Sequence, residues 1–202
     1  MSDALDKLGL AGVASGITRQ STTRRIAGPV LTVRLGIGDP GSGAPRHLCT
    51  AAIDAAQEGA VIVVEHHSGI DAGGWGGILS LGARLRGVGG AIVDGPVRDI
   101  DECAAIDFPV FARSVTPRTA RGRIVELSFN EPVTIGGVSV AAGDFAIADG
   151  SGVAFIRASD IERVIEAAGR IAAREAEMTR ALQNGARLCE VMGATYEQLL
   201  RK

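Results

Sequence analysis

The sequence predicts an α/β protein built on a mixed sheet and closed by carboxyl-terminal helices, and three observations predict it. From Pro29 onward, β-branched runs alternate with segments of helical spacing, the pattern of parallel strands joined by helical crossovers. From about residue 108 to 157 the pattern changes to short strands separated by Gly, Pro and Asp turns, which suits a compact antiparallel or barrel-like layer. After Ser159 a long amphipathic stretch begins. A chain of 202 residues has room for one sizeable core with a helical tail. The expected division is an α/β domain over residues 1–158 and a helical extension over 159–202, packing on that domain or on a neighbouring subunit.

Taken in order, PVLTVRL (29–35) is the first strand of the alternating region, rich in residues that favour a pleated surface. PRHLCTAAIDAAQEG (45–59) has helical spacing, with Pro45 as a good first helical residue and His47 as a helix-surface or interface residue. VIVVE (61–65) is apolar up to Glu65 and reads as a buried strand, GGILSLGARLRG (76–87) as a helix, and VGGAIVD (88–94) as the next strand. VFARS, GRIVELSF, VTIGG, VSVA, DFAIAD and GVAFIR follow as short strands. Ser159 is placed to cap the helix DIERVIEAAGRIAAREAEMTRAL, and a second helix is expected over residues 185–200.

Composition narrows the function classes. A net charge of -2 gives no basic excess to attract nucleic acid or an anionic membrane. Aromatics at 3% leave few platforms for base stacking. No apolar run reaches the length of a signal peptide core or a membrane span, so the reading expects a cytoplasmic protein. Cys49, Cys103 and Cys189 are far apart and lack C-x-x-C spacing, so they are read as reduced thiols rather than disulfide or zinc ligands.

Two glycine loops could hold a ligand. GIGDPG (36–41) satisfies G-x-G-x-x-G after a strand, with Glu65 at the end of the next one, but Pro40, Gly41, Gly43 and Pro45 delay the helix that would have to aim its amides at a pyrophosphate. It is read as a turn at the rim of some other site. HHSGIDAGGWGG (66–77) instead runs from a strand straight into a helix start, where unpaired N–H groups and the positive dipole end suit a small carboxylate or phosphate. Gly76, Gly77, Ile78 and Leu79 are the candidate donors. If VIVVE and VGGAIVD are neighbouring parallel strands, the loops after both open on one crevice, the usual ligand position in open α/β sheets. Arg98 and Asp99 follow the second strand by one short turn and fall opposite those amides. An arginine there can clamp a carboxylate, and an aspartate can hold a hard divalent cation. His66 and His67 are adjacent and point to opposite sides, so they are read as rim residues, and Asp94 as a turn former.

These residues carry a recognisable spacing. Gly77, twenty residues, Arg98-Asp99, two residues and Glu102 resemble the G-x20-R-D-x2-E/D signature of the RraA-like family, which includes class II 4-hydroxy-4-methyl-2-oxoglutarate (HMG) aldolases. The likeness extends through ARLRGVGGAIVDGPVRDIDE, GPVLTV and GDFAIADGSGVAFI, over residues 3–177. It implies a swivelling β/β/α-type fold, assembled as a homotrimer or homohexamer with sites between subunits. It implies a divalent metal, Mg²⁺ or Mn²⁺, held by Asp99 with Glu102 beside it, and pyruvate bound by Arg98 and the amides of residues 76–79. A carboxyl-terminal acid from the adjacent subunit completes the aldolase site, a role carried onto Glu175 with Glu177 as the alternative. Some aldolases have Asp where Gly77 stands.

The reaction implied is carbon–carbon cleavage beside a 2-oxo acid, either of 4-hydroxy-2-oxo acids or of oxaloacetate, with Arg98 and the metal stabilising the enolate. The alternative implied by the same family is an RraA-type regulator that binds a ribonuclease without catalysis. The methyltransferase label often attached to the family finds no S-adenosylmethionine loop here beyond the weak GIGDPG.

Overall fold

Strand-forming residues dominate the middle of the chain, and a computed structural model describes residues 1–39 and 47–193. The strands are β1 (Val13–Ala14), β2 (Thr18–Arg19), β3 (Ile26–Gly36), β4 (Val61–His66), β5 (Gly90–Val97), β6 (Val110–Val115), β7 (Val125–Phe129), β8 (Val133–Ile135), β9 (Val138–Val140), β10 (Phe145–Asp149) and β11 (Gly152–Ile156). The helices are α1 (Ser2–Lys7), α2 (Thr50–Ala55), α3 (Gly77–Leu85), α4 (Ile100–Ala105), α5 (Ile161–Gln183) and α6 (Leu188–Val191). No helix among the described residues is long and apolar enough to cross a membrane.

The chain divides into two compact units, Val13–Arg157 and Met1–Gly12 with Ala158–Lys202. In the first unit β3, β4, β5 and β6 lie side by side and parallel. β10 runs antiparallel to the first half of β3 and β7 to its second half, with an irregularity in the β7 pairing between Arg34 and Leu35. β11 and β1 extend one edge, β2 the other, and β8 with β9 forms a separate hairpin. The sheet is mixed, as expected.

Period-two alternation sorts the side chains to two cores. Ile62 and Val64 of β4 face Ala52 of α2, Leu79 of α3 and Cys103 of α4. Val61 and Val63 face Ile135 of the hairpin, Ala146 of β10 and Phe155 of β11. Both faces are covered, which is why VIVV is apolar without a break. Close packing also fixes Gly28 in β3, where an added Cβ would run into the carbonyl oxygen of Gly59.

The structure corrects four element boundaries. VFARS joins the parallel set as β6 rather than the antiparallel layer, because the short helix α4, hidden in RDIDECAA, supplies a crossover. α2 starts at Thr50, since Cys49 adopts a left-handed φ of 66° that a helix cannot propagate through. His47 therefore precedes the helix, and Pro45 lies outside the described residues. Ser159 sits within a 3₁₀ turn, and α5 begins after Asp160, whose carboxylate binds Arg163 at 2.6 Å. Of the helix expected over 185–200, residues 188–191 form α6, and residues 194–200 lie outside the described part.

In the second unit α1 packs against α5. Ala4 and Leu5 are buried, as are Val164, Ala167 and Ile171, one stripe of α5 at helical spacing. Beyond Ile171 the polar faces carry exposed helical ion pairs such as Arg174–Glu177 at 3.3 Å, of little energetic weight.

Gly28→Ala should destabilise the protein by about 3 kcal/mol, at the upper end for overpacking because the obstacle is backbone, read as a lowered urea midpoint with unchanged slope. A shift below about 1 kcal/mol would show that β3 and the 57–60 turn separate freely.

Candidate functional site

The parallel pairing of β4 with β5, Val61↔Gly90 through Glu65↔Asp94, brings both strand ends to one edge of the sheet. On the helical face of that edge, residues 72–77 cross from β4 to α3 in close contact with the chain leaving β5. Gly74 N–H donates to Pro96 O at 2.9 Å, and Arg98 N–H donates to Trp75 O at 3.0 Å. The crossing is possible because Gly73, Gly74, Gly76 and Gly77 lack side chains. A Cβ on Gly73 would approach Arg98 Cγ to 2.8 Å, and one on Gly76 would approach Asp99 Oδ2 to 2.8 Å.

Asp99 is the centre of the arrangement. It precedes α4 with a left-handed backbone, φ 56° and ψ 43°, a conformation that aspartate tolerates better than most residues. Its Oδ1 accepts from Arg98 Nε at 2.8 Å and its Oδ2 from Gly77 N–H at 3.2 Å. Asp99 thus caps α3 from outside, a task Gly76 cannot perform without a side chain. The amides of Ile78 and Leu79 in the same first turn have no carbonyl of their own helix to bind. Arg98 spends one edge of its guanidinium on Asp99; its terminal nitrogens have no protein partner among the described residues.

The buried support is specific. Ser80 Oγ donates to Gly76 O at 3.0 Å and accepts from Trp75 Nε1 at 2.8 Å, and the indole stacks on Phe108 with centroids 6.1 Å apart. Cys103 Sγ lies 3.1 Å from Ser80 Oγ. Burial pushes the Cys103 thiol up, the Ser80 contact pulls it back, and the Asp99 and Glu102 charges add to the rise. Cys103 is thereby a buried, protonated thiol in contact with Ser80 rather than a nucleophile.

The predicted residues do converge in part. Gly76, Gly77, Ile78, Leu79, Arg98, Asp99 and Glu102 share one corner, where a Cβ on Gly77 would meet Glu102 Cβ at 3.2 Å. Ile78 is 83% exposed, while Leu79 is buried in the core and offers only its backbone. Glu175 is exposed on α5, in the other compact unit. Among the described residues no group of three or more His, Cys, Asp or Glu side chains is gathered as metal ligands. The donor chemistry still fits a hard divalent cation. Asp99 retains lone pairs beyond its two hydrogen bonds, Glu102 stands one helical turn on, and Mg²⁺ commonly uses one or two carboxylates while keeping several waters.

The opposite face of the same edge holds a second polar group that the sequence reading did not find. Asp94 is no turn former: it lies in β5 with its side chain fully buried. Its Oδ1 is paired with Arg113, and its Oδ2 accepts from His67 Nε2 and Gly136 N–H, both at 2.7 Å. Burial pushes the Asp94 pKa up, but the Gly136 amide, Arg113 and His67 together outweigh it and hold the carboxyl below its usual range. Glu65 beside it pairs with Arg34 at 2.9 Å and accepts from Thr134 N–H at 2.5 Å. The signal was an acid at the end of an apolar strand. His66 and His67 do point apart: His66 is buried and its Nε2–H donates to Ala72 O at 2.7 Å, setting the start of the glycine loop. Burial lowers the His66 pKa, the Ala72 carbonyl offsets part of the fall, and His67 adds to it.

Comparison with known proteins follows from this geometry. The RraA-like family model, Aldolase/RraA, matches residues 1–155. A Halalkalibacterium halodurans protein named "Putative 4-hydroxy-4-methyl-2-oxoglutarate aldolase" is 30% identical over 188 residues, 91% of this chain and 83% of that one. Protein DlpA of Legionella pneumophila is 28% identical over 93% of this chain, which spans 30% of its length. An uncharacterized Pseudomonas syringae protein of known structure superposes with a TM-score of 0.84 at 29% identity, covering 95% of this chain and 90% of its own. Streptomyces coelicolor RraAS2, described as an unusual member of the RNase ES inhibitor RraA protein family, shares the fold with a TM-score of 0.74 at 24% identity, over 89% of this chain and 90% of its own.

Two stability measurements check this construction. Because folded His66 resists protonation, the unfolded chain binds the extra proton below about pH 6.5, so stability is complete above that value and falls as pH drops toward the lowered folded pKa. The urea midpoint should fall between about pH 7.5 and about pH 5.5, and His66→Gln, which keeps a donor for Ala72 O, should flatten that fall. Asp94→Asn should cost about 2–4 kcal/mol, less than a wholly buried pair because Arg113 and His67 are half-exposed; a loss under about 1 kcal/mol would show that the network is dispensable.

Proposed function

The chain belongs to the RraA-like family, and from that premise we propose that it is a divalent-metal-dependent lyase. It cleaves 4-hydroxy-2-oxo acids such as HMG to release pyruvate, or decarboxylates oxaloacetate. The observation that carries this reading is the convergence of the Arg98 guanidinium, the Asp99 carboxylate and the first turn of α3 at one sheet edge.

Each group has a task in that chemistry. The Ile78 and Leu79 amides, aided by the positive end of α3, receive the substrate carboxylate. The terminal nitrogens of Arg98 bind the 2-oxo acid and oppose the charge that grows on its oxygen when the carbon–carbon bond breaks. Asp99 holds Arg98 by Nε, so the guanidinium is oriented before substrate arrives. Asp99 and Glu102 are the residues that would hold Mg²⁺ or Mn²⁺; bound there, the ion would act as a Lewis acid on the 2-oxo oxygen. With oxaloacetate the leaving group is carbon dioxide, and no hydroxyl proton has to be removed. The apolar side chains Ile78, Leu81 and Leu85, exposed along α3, support an assembly of copies, a trimer or hexamer, in which a neighbour supplies Glu175 or Glu177.

The test is pyruvate release by purified protein with Mg²⁺ or Mn²⁺. HMG or oxaloacetate should be turned over, and Arg98→Ala or Asp99→Asn should lower kcat/KM by about a hundredfold or more. Asparagine also tolerates the left-handed backbone, so the second variant removes charge while keeping the fold. Protein that released no pyruvate, yet bound a ribonuclease equally well with and without Arg98, would instead be a regulator acting through its surface.

A further inference from the structure

His66 ends β4 and is buried, yet no step of the proposed reaction touches it. Its face of the strand is otherwise apolar, since Ile62 and Val64 pack against the helices on that side. A buried imidazole there costs desolvation that a valine would not, and both ring nitrogens are spent on one short segment. Nε2–H donates to Ala72 O at 2.7 Å, Nδ1 accepts from Ser68 Oγ at 3.3 Å, and Ser68 Oγ accepts from Ile70 N–H at 3.1 Å. With Nε2 as donor and Nδ1 as acceptor the ring is neutral, the state that burial favours.

The same ring lies against both backbones that build the Arg98 corner. A Cβ on Gly74 would meet its Cδ2 at 3.0 Å, and one on Gly95 would meet its Cβ at 2.8 Å and its Cδ2 at 3.0 Å. Glycine at both places lets the glycine loop and the end of β5 close on one imidazole. Directly beyond these contacts the two chains bind each other, Gly74 N–H to Pro96 O and Arg98 N–H to Trp75 O. Three residues past Gly74 is Gly77, where α3 starts, and three past Gly95 is Arg98. A shift of the ring therefore moves the first turn of α3 relative to the Arg98 guanidinium.

We propose that His66 is a positioning residue for the carbon–carbon cleavage: by tying Ala72 and packing on Gly74 and Gly95, it fixes the first turn of α3 against Arg98. This assignment rests on the reading of Arg98 and α3 as the 2-oxo acid site. The bond to Ala72 O is the part that sets geometry, because it joins the ring to the loop, while Ser68 selects the tautomer. A side chain with a donor at the place of Nε2 keeps that function, and one with a donor at the place of Nδ1 does not. Glutamine supplies the first and asparagine the second.

Pyruvate release from HMG or oxaloacetate with Mg²⁺, expressed per folded molecule, tests the proposal. His66→Asn should lower kcat by about tenfold or more, the scale on which misplaced catalytic groups lose rate. KM should stay within about threefold, because the α3 amides still receive the carboxylate. His66→Gln should keep kcat within about threefold of the parent. Val64→Ala, which removes packing from the same face of β4 but no hydrogen bond, should lower the urea midpoint and leave kcat unchanged. Equal kcat losses in the asparagine and glutamine variants, or an equal loss in Val64→Ala, overturns the assignment of His66 alone, as does an asparagine variant as fast as the parent. In the parent itself, the His66 Nε2–H proton resonance should move when pyruvate and Mg²⁺ are added; turnover with an unmoved resonance also overturns it, however the variants fold. A parent that releases no pyruvate overturns the lyase reading and this one with it.

Discussion

Glu65 and Asp94 stand side by side on parallel strands about 4.8 Å apart, two carboxylates that neither water nor distance separates well. The carboxyl edge of the sheet is organised by the need to satisfy them. Arg34 pairs with the first and Arg113 with the second, so two adjacent acids on β4 and β5 are flanked by an arginine on β3 and another on β6. The remaining carboxylate oxygens accept N–H groups from the β8–β9 hairpin, at Thr134 and Gly136. Apolar contact alone would let that hairpin slide; two buried acceptors fix its register.

With one face of the edge fixed in this way, the other is free to carry chemistry. Strand alternation sends Glu65 and Asp94 to the hairpin side, and His66 to the helical side under the glycine loop. Without side chains at Gly73, Gly74, Gly76 and Gly77, the loop lies directly on the chain around Arg98 and Asp99. A carboxylate that caps one helix, starts another and orients an arginine is therefore reached with few residues. The cost is a left-handed backbone at Asp99, a strain commonly kept at functional positions.

Much of this was legible beforehand because it rests on local pattern. The apolar run VIVV, the twenty-residue crossover and the strand-to-helix glycines placed the Arg98 corner correctly. What escaped was set by contacts distant in sequence. Asp94 looked like a turn former beside Gly95, because the strand continues through a glycine and a proline that usually end one. The six-residue helix α4 is too short to show a period, so β6 was assigned to the wrong layer.

By itself, the sequence determined the α/β class, the parallel pairing of β4 with β5 and the candidate residues 76–79, 98 and 99, while Glu102 entered through the family signature. Periodicity and spacing are local properties, and burial on two faces enforces them residue by residue. Tertiary structure alone decided that Asp99 caps α3 and that Asp94 anchors a hairpin. Each of these depends on a hydrogen bond between segments far apart in sequence that only the folded sheet brings together.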